Sequence, residues 1–163
     1  MSTHPPHLAI VGCTGAVGQE LLAILSQRKF PMQSLRLLAS ARSAGSRIEY
    51  DGACIEIQEL TEASFTGVDI ALFSAGGGIS KIFAPHAVKA GAVVIDNSSA
   101  FRMDDDVPLV IPEINGDVLN DFPHPGAGVI ANPNCSTITA LMAVAPLHKA
   151  VAGGGGGIER IVV

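Results

Sequence analysis

Charged residues make up only 15% of this 163-residue chain, aromatic residues only 4%, and tryptophan is absent. The formal net charge of −5 provides no basic surface for nucleic acid. No apolar run approaches the roughly 18 residues needed to span a bilayer. Residues 1–6 also lack the charged start and the apolar core of a signal peptide. These absences argue against a nucleic-acid-binding or membrane protein and predict a cytoplasmic one.

Cysteine is scarce as well. Cys13, Cys54 and Cys135 form neither a CxxC pair nor a spacing typical of metal ligands. The sequence therefore predicts neither a disulfide framework nor a metal site.

Aliphatic residues and glycine are abundant: 48% of the chain is hydrophobic, and 18 residues are glycine. This profile suits a sheet that helices bury on both faces, and the length suits one domain with a core of its own. We predict an α/β fold, a Rossmann-like domain with a mostly parallel sheet.

The first unit reads as strand, glycine loop and helix. Residues 8–11 are apolar, and Gly12, Gly15 and Gly18 precede a helical pattern that begins near Gln19. In a dinucleotide-binding loop the first glycine permits a tight turn, the second lets a phosphate approach the backbone, and the third lets the helix pack on the strand. The pyrophosphate would lie on the helix N-terminus. Glycine turns also close βα units that bind nothing, but this position after a buried N-terminal strand favours a dinucleotide.

The end of the second predicted strand, residues 35–39, favours NADP over NAD. An NAD enzyme usually places an acidic residue there, whereas this chain has Ser40, Arg42 and Ser43. An arginine flanked by hydroxyl groups can bind the 2′-phosphate of NADP through charge-assisted hydrogen bonds. The alternative is a solvated arginine in a loop.

Later strand ends carry further candidates. After a hairpin predicted at Asp51-Gly52, a buried strand at 70–73 leads into the glycine-rich residues 74–78, and a strand at 92–96 leads into the polar residues 97–102. Ligands of open α/β sheets bind at such carboxyl ends. Arg102 could receive an anionic substrate, or it could form a surface ion pair with Asp104, Asp105 or Asp106.

The segment Asn132–Thr137 lies between an apolar run at 128–131 and a helical pattern that ends near Ala150. Read as strand, turn and helix, it places Cys135 at or near a helix N-terminus. Unpaired N–H groups and the positive end of the dipole favour a thiolate there, so Cys135 is a candidate nucleophile. The alternative is a small buried thiol, which most free cysteines are.

We divide the chain into three predicted parts. Residues 1–152 form the NADP-binding domain and include the turn of Cys135. Residues 153–157 are a polyglycine connection, either flexible or an engineered insertion. Residues 158–163 are the first strand of a second, truncated domain.

Five segments in one order resemble bacterial aspartate-semialdehyde dehydrogenases, specifically their N-terminal half. The segments are GCTGAVG (12–18), LASARSAG (38–45), ALFSAGG (71–77), DNSSAFR (96–102) and NPNCST (132–137). The resemblance runs from about Leu8 to Val163, which is nearly the whole chain but only about the first half of a family member. A second α+β domain for substrate binding and dimerisation is essentially absent from these residues.

The resemblance implies an activity, the NADP- and phosphate-dependent oxidation of L-aspartate 4-semialdehyde to L-4-aspartyl phosphate. The reaction runs in reverse in the biosynthesis of lysine (through diaminopimelate), methionine, threonine and isoleucine. A thiolate attacks the aldehyde, a hydride passes to the nicotinamide, and phosphate opens the remaining thioester. The implied partners are these small-molecule substrates, and the full-length family member is expected to be a homodimer.

Site residues are carried over by matching position. Cys135 would be the nucleophile, Asn134 would help orient the reacting carbonyl oxygen, and Arg102 would bind the phosphate or the acyl phosphate. The predicted cofactor-binding residues are Gly12, Thr14, Gly15, Ala16, Val17, Ser40, Arg42, Ser43, Ser74, Ala75 and Gly76.

Two functional residues of the family have no counterpart here, the substrate-orienting glutamine and the acid/base histidine of the second domain. The histidines of this chain are His4, His7, His86, His124 and His148, and none matches that position. General acid–base help is typically worth about 10²–10⁴-fold in rate. We therefore expect the 163 residues alone to be an inefficient enzyme.

Two alternatives remain open at this point. N-acetyl-γ-glutamyl-phosphate reductases share the fold, the chemistry and a cysteine at this turn, but they are expected to carry Asn-Pro-Gly-Cys before an aromatic residue. The other alternative is a non-catalytic NADP-binding module.

Overall fold

The strand His7–Val11 (β1) is central to the fold, because its last four residues are all buried. The computed structural model describes residues 4–122, 128–152 and 157–162, and seven strands within them form one sheet. The other strands are β2 (Ser34–Ala39), β3 (Arg47–Tyr50), β4 (Ala53–Glu59), β5 (Ile70–Phe73), β6 (Val93–Asp96) and β7 (Gly128–Ala131). The α-helices are α1 (Ala16–Gln27), α2 (Gly77–Lys89), α3 (Pro112–Asn115) and α4 (Cys135–Ala152), and 3-10 helices span Glu62–Phe65 and Gly116–Asp121.

The order of strands across the sheet is β3-β4-β2-β1-β5-β6-β7, and every neighbouring pair is parallel except β3 with β4. From β1 the chain moves out to β2 and later returns to the other side of β1 with β5. The carboxyl ends of β1 and β5 therefore flank the point at which the strand order reverses, where open α/β sheets bind ligands. The predicted α/β Rossmann-like class is confirmed.

Helices pack on both faces of the sheet, because alternate residues of a strand point to opposite sides. Val11 belongs to a buried cluster that includes Ala84 of α2. Its neighbour Ile10 belongs to a second cluster that includes Leu22 of α1. Burying an aliphatic side chain such as that of Ile10 contributes roughly 1.5–3 kcal/mol.

Two glycines set the path from β1 into α1. Gly12 has a φ of +87°, in the left-handed region, and a Cβ there would lie 2.6 Å from the carbonyl oxygen of Ser74. A Cβ on Gly18 would lie 2.4 Å from the carbonyl oxygen of Gly12. These close approaches allow α1 to begin at Ala16, earlier than the predicted start near Gln19. Gly12 and Gly18 thus have the turn and packing functions that their spacing predicts.

The C-terminal segment differs from the sequence prediction. The structure describes residues 158–162 without a strand, and the predicted division into two domains stays a prediction. A strand needs a neighbouring strand for its N–H and C=O groups, whereas the N–H of Ile158 donates to Nδ1 of His148 over 3.2 Å. Residues 153–156 of the polyglycine connection, and Val163, lie outside the described residues.

Helix α4 is unusual because none of its residues is buried. Its 18 residues have a mean hydropathy of 1.3, so length and composition alone would allow it to cross a membrane. Polar residues such as Thr139, His148 and Lys149 interrupt the apolar sequence of α4, but the average over the whole helix remains apolar. These two properties are weak evidence for a membrane span, since helices of soluble cores share them.

We expect Gly18→Ala to destabilise the protein by about 1–3 kcal/mol, the usual range for overpacking. The added Cβ would meet backbone atoms, which cannot move aside as a side-chain tip can. Urea unfolding measures the change, with Gly78→Ala as the matched control. Gly78 is an exposed residue of α2 with nothing within 4 Å of a Cβ, so alanine there should be neutral or stabilising. Equal midpoints for the two variants would contradict the proposed packing function of Gly18.

Candidate active site

The last residues of four parallel strands lie in one row across the sheet, each paired with the next. The row consists of Val11, Phe73, Asp96 and Ala131. The residues that follow β5, β6 and β7 each donate a backbone N–H to the last residue of the preceding strand in the row, over 2.8 to 3.0 Å. These residues are Ser74, Asn97 and Asn132. The loops that leave the strands therefore start side by side.

The glycine loop after β1 presents an open helix N-terminus. Residues 14–17 are exposed, and a Cβ on Gly15 would make only ordinary contact, 3.5 Å from the carbonyl oxygen of Gly12. Helix α1 has neither a side-chain N-cap nor an acidic residue in its first turn. Its first N–H groups and its positive dipole end are thus free to receive an anion. These features fit the pyrophosphate of a dinucleotide.

The turn after β2 presents Arg42 next to the glycine loop, because β2 adjoins β1. The N–H groups of Ser43 and Ala44 both donate to the carbonyl oxygen of Ser40, over 2.8 and 3.1 Å, which closes the turn. Arg42 is exposed and has no ion pair or hydrogen bond among the described residues. Residues 40–46 contain no acid. The positive charge of Arg42 is therefore available to a phosphate.

The loop after β5 lies against the glycine loop from the other side. A Cβ on Gly12 would lie within 3.0 Å of Ser74 and Ala75 backbone atoms. Gly76 then turns with a φ of +88° into the N-terminus of α2. The three predicted cofactor-binding segments thus follow β2, β1 and β5, which are adjacent strands. The structure brings all three segments together at the reversal of strand order.

Asp96 is a fully buried carboxylate at the end of β6. Its Oδ1 accepts hydrogen bonds from Oγ of Ser80 (2.7 Å) and from the backbone N–H of Ser98 (3.1 Å), and its Oδ2 accepts one from Oγ of Ser98 (2.6 Å). Because Ser80 belongs to α2, the carboxylate ties the turn after β6 to the helix that follows Gly76. The only local sequence signal for this function of Asp96 is an acid at the end of a buried strand, which did not suffice to predict it.

Arg102 lies half-buried between the ends of β6 and β7. Its Nη2 donates to the carbonyl oxygen of Asn97 over 2.8 Å, and its Nε donates to the carbonyl oxygen of Asn132 over 2.9 Å. The alternative ion pair with residues 104–106 is not found in the part of the chain that the structure describes. Because both partners are neutral, the guanidinium keeps its charge and three of its five N–H donors for another ligand.

Cys135 is the first residue of α4 and is exposed, so the predicted helix-terminal position is confirmed. The Oδ1 atom of Asn134 accepts a hydrogen bond from the N–H of Ser136 over 2.9 Å and caps the helix. The same Oδ1 lies 4.0 Å from Sγ of Cys135. The side-chain NH₂ of Asn134 has no partner among the described residues and can donate to a carbonyl oxygen beside the thiol.

The other two cysteines lie in different surroundings. Cys13 is fully buried beneath the glycine loop, and burial raises the pKa of its thiol, with a smaller opposing effect of a backbone hydrogen bond. Cys54 is exposed on β4, away from any helix N-terminus. Among the three free cysteines, only Cys135 combines exposure with the start of a helix.

No histidine within the described ranges lies at this edge of the sheet. His4 and His7 lie before and at the amino end of β1, and His86 lies in the second half of α2. His148 follows the first residue of α4 by 13 positions, which is about 20 Å along the helix axis. His124 lies outside the described residues. None of the described histidines is therefore placed to accept the proton of the Cys135 thiol.

Comparison with known proteins identifies the relatives of the chain. Residues 7–122 match the family model described as semialdehyde dehydrogenase, NAD binding domain. Aspartate-semialdehyde dehydrogenase of Bacillus subtilis is 51% identical over 157 residues, which cover 96% of this chain and 43% of the relative.

Two solved structures have the same fold. Aspartate semialdehyde dehydrogenase II of Vibrio cholerae, complexed with ASA, superposes with a TM-score of 0.84 at 47% identity, covering 90% of this chain and 47% of that one. The enzyme of Candida albicans with NADP superposes with a TM-score of 0.69 at 25% identity, covering 88% and 47%. The chain therefore spans less than half the length of the relatives that it matches.

We expect Cys135 to be alkylated faster than Cys54, and Cys54 faster than Cys13. The N–H groups at the start of α4 stabilise a thiolate at Cys135, whereas Cys13 is buried and the pKa of its thiol is raised. Timed treatment of the folded protein with iodoacetamide, followed by peptide mass spectrometry, gives the three rates. The unfolded protein is the control, in which the differences should largely disappear. Equal rates at Cys135 and Cys54 in the folded state would argue against a preformed nucleophile site.

Proposed function

The chain belongs to the semialdehyde dehydrogenase family, and we propose that it is the NADP-binding, nucleophile-bearing part of an aspartate-semialdehyde dehydrogenase. The proposed reaction is the reversible, phosphate-dependent oxidation of L-aspartate 4-semialdehyde to L-4-aspartyl phosphate. In this proposal residues 1–152 are the nucleotide-binding domain, including the turn of Cys135, and residues 153–157 are a connection.

One observation carries the proposal: Arg102 is anchored to the residue that begins the Cys135 turn. Its Nε bonds to the carbonyl oxygen of Asn132, three residues before the thiol. A cation with free donors and an exposed nucleophile are thus on adjacent loops. This combination suits a reaction in which an oxyanion must attack a carbon that is bound to the sulfur.

Features of the glycine loop and of Arg42 support NADP as the cofactor. The pyrophosphate would bind the N–H groups at the start of α1, beside the uncrowded Gly15. The 2′-phosphate would bind Arg42, which has no acidic neighbour in its turn. Bound NADP supplies the hydride acceptor of the reaction.

The residues of the chain would act as follows. The thiolate of Cys135 forms a bond to the aldehyde carbon, and the NH₂ group of Asn134 donates to the carbonyl oxygen as negative charge develops there. After oxidation the carbon is held as a thioester. Phosphate bound by Arg102 then forms an O–C bond to that carbon, the C–S bond breaks, and the thiolate of Cys135 is restored.

Proton transfer is the step for which no described histidine is placed. The thiol must lose a proton before it attacks, and the described histidines lie elsewhere in the fold. We therefore propose that the 163 residues bind NADP and phosphate but do not turn over efficiently. The full-length protein is proposed to be cytoplasmic and homodimeric, on the family resemblance alone.

The identity of the substrate also rests on the relatives. Three curated relatives that are 50–52% identical in sequence carry the name aspartate-semialdehyde dehydrogenase. They favour aspartate semialdehyde over the acyl phosphate of N-acetylglutamate. The non-catalytic NADP-binding module remains the outcome expected for these residues by themselves.

The direct test follows NADPH fluorescence and turnover with the same protein. We expect saturable NADPH binding but phosphate-dependent oxidation of aspartate semialdehyde far below that of the full-length Bacillus subtilis enzyme, which serves as the control. The missing acid–base group alone accounts for a deficit of about 10²–10⁴-fold. Turnover equal to the control would refute the expected inactivity, and absence of NADPH binding would refute the cofactor site.

We expect Arg42→Ala to weaken NADPH binding at least 10-fold and to leave NADH binding nearly unchanged, since a charge-assisted contact to one phosphate is worth about 1.5–3 kcal/mol. Fluorescence titration with both nucleotides gives the two constants. Arg28→Ala is the matched control, because Arg28 is an exposed arginine at the opposite end of α1. If affinity for both nucleotides falls equally in Arg42→Ala, the 2′-phosphate assignment is wrong.

A further inference from the structure

Two side-chain amides join the loops that carry Arg102 and Cys135. The Nδ2 atom of Asn132 donates a hydrogen bond to Oδ1 of Asn97, across 35 positions of sequence. Asn97 is the first residue after β6, and Asn132 is the first residue after β7. Both are partly buried, so water competes only in part for their amides.

The backbones of the same two residues hold Arg102. The carbonyl oxygen of Asn97 accepts from Nη2, and the carbonyl oxygen of Asn132 accepts from Nε. The amide pair and the guanidinium therefore close a ring of hydrogen bonds between the two loops. Within this ring the orientation of the arginine depends on the distance between the loops. The backbone bond from the N–H of Asn132 to the carbonyl oxygen of Asp96 starts the two loops side by side, and the amide pair adds a side-chain link between them.

The neutrality of the ring has a chemical consequence. A carboxylate in place of Asn97 would also accept from the amide of Asn132, but it would pair with the guanidinium and neutralise it. Amides make the connection without adding charge. The cation thus keeps its attraction for an anion while its position is fixed.

We propose that Asn97 and Asn132 are positioning residues that hold the guanidinium of Arg102 in register with the thiol of Cys135. The inference rests on the proposed function, in which Arg102 binds the oxyanion that attacks the carbon on Cys135. Neither asparagine touches the reacting atoms in this account. They act through the backbone carbonyls that orient Arg102 and through the loop that leads to Cys135.

The test compares two alkylating reagents that differ in charge, anionic iodoacetate and neutral iodoacetamide. The ratio of their rates at Cys135, measured by peptide mass spectrometry, reports positive charge held near the thiol. The same ratio at Cys54 serves as the internal reference in each sample. Arg102→Ala should lower the ratio at Cys135 about 5-fold, the size expected for two unit charges about 4 Å apart in water, and should leave Cys54 unchanged.

Asn97→Ala and Asn132→Ala should each lower the ratio at Cys135 by most of the amount seen for Arg102→Ala. Asn115→Ala is the matched control, because Asn115 also joins loop backbone, accepting from the N–H of Ile111 and donating to the carbonyl oxygen of Leu109. The Asn115→Ala variant should have a lower melting temperature but an unchanged ratio of alkylation rates at Cys135. If the rate ratio at Cys135 falls together with the melting temperature in all three asparagine variants, including the control, the positioning function is wrong.

A pair of isosteric variants tests the hydrogen bond itself. Asn97→Asp keeps the oxygen that accepts from Asn132, whereas Asn132→Asp removes the donor and places two acceptors face to face. Both add the same charge, so the inference requires a lower ratio and a lower melting temperature for Asn132→Asp than for Asn97→Asp. Equal values would overturn it.

The Arg102 variant and the asparagine variants separate the proposed function from the positioning function. If Arg102→Ala leaves the ratio unchanged, the anion site of the proposed function is wrong and the amide pair has nothing to position. If Arg102→Ala lowers the ratio but neither asparagine-to-alanine variant does, the proposed function stands and only the positioning inference is refuted.

Discussion

The register of the parallel sheet is the constraint on which the candidate site depends. Because the last residues of β1, β5, β6 and β7 pair in one row, the loops that follow them begin level with one another. The first residues of three of these loops then extend the hydrogen-bond ladder by one step. A shift of one strand by a single position would turn its side chains to the other face and would separate the loop residues that now meet. The glycine loop, the loop of Arg102 and the turn of Cys135 are neighbours for this reason.

Two charged side chains next to the site, Asp96 and Arg102, both have neutral partners but differ in burial. The carboxylate of Asp96 is fully buried, and three neutral donors satisfy it. The guanidinium of Arg102 has two neutral acceptors and retains free donors at the surface. If the two charges were paired with each other, the cation would be neutralised and could not attract a phosphate. Separate neutral partners therefore give Asp96 a structural function and leave Arg102 available for a ligand.

The cofactor side and the nucleophile side of the site differ in how they are built. On the cofactor side, backbone geometry dominates: the left-handed Gly12, the close contact at Gly18 and the open N-terminus of α1 form the surface. On the nucleophile side, side chains from loops far apart in sequence determine the geometry. Helix α4 on this side exposes apolar side chains, including those of Leu147 and Val151, and the chain covers 43% of the Bacillus subtilis relative.

Much of the fold could be predicted from the sequence, because the signals are local. The apolar runs, the spacing of Gly12, Gly15 and Gly18, and the position of Cys135 before a helical pattern each depend on a few neighbouring residues. Residues 158–162 form no strand in the structure, because strand formation needs a partner, which a local apolar pattern does not supply. The amide pair of Asn97 and Asn132 and the partners of Arg102 were equally invisible in the sequence. The amide pair spans 35 positions and the contact of Arg102 with Asn132 spans 30, and both exist only because the register of β6 and β7 brings the two loops together. The sequence by itself thus determined which residues could do the chemistry, and only the tertiary structure decided which of them meet.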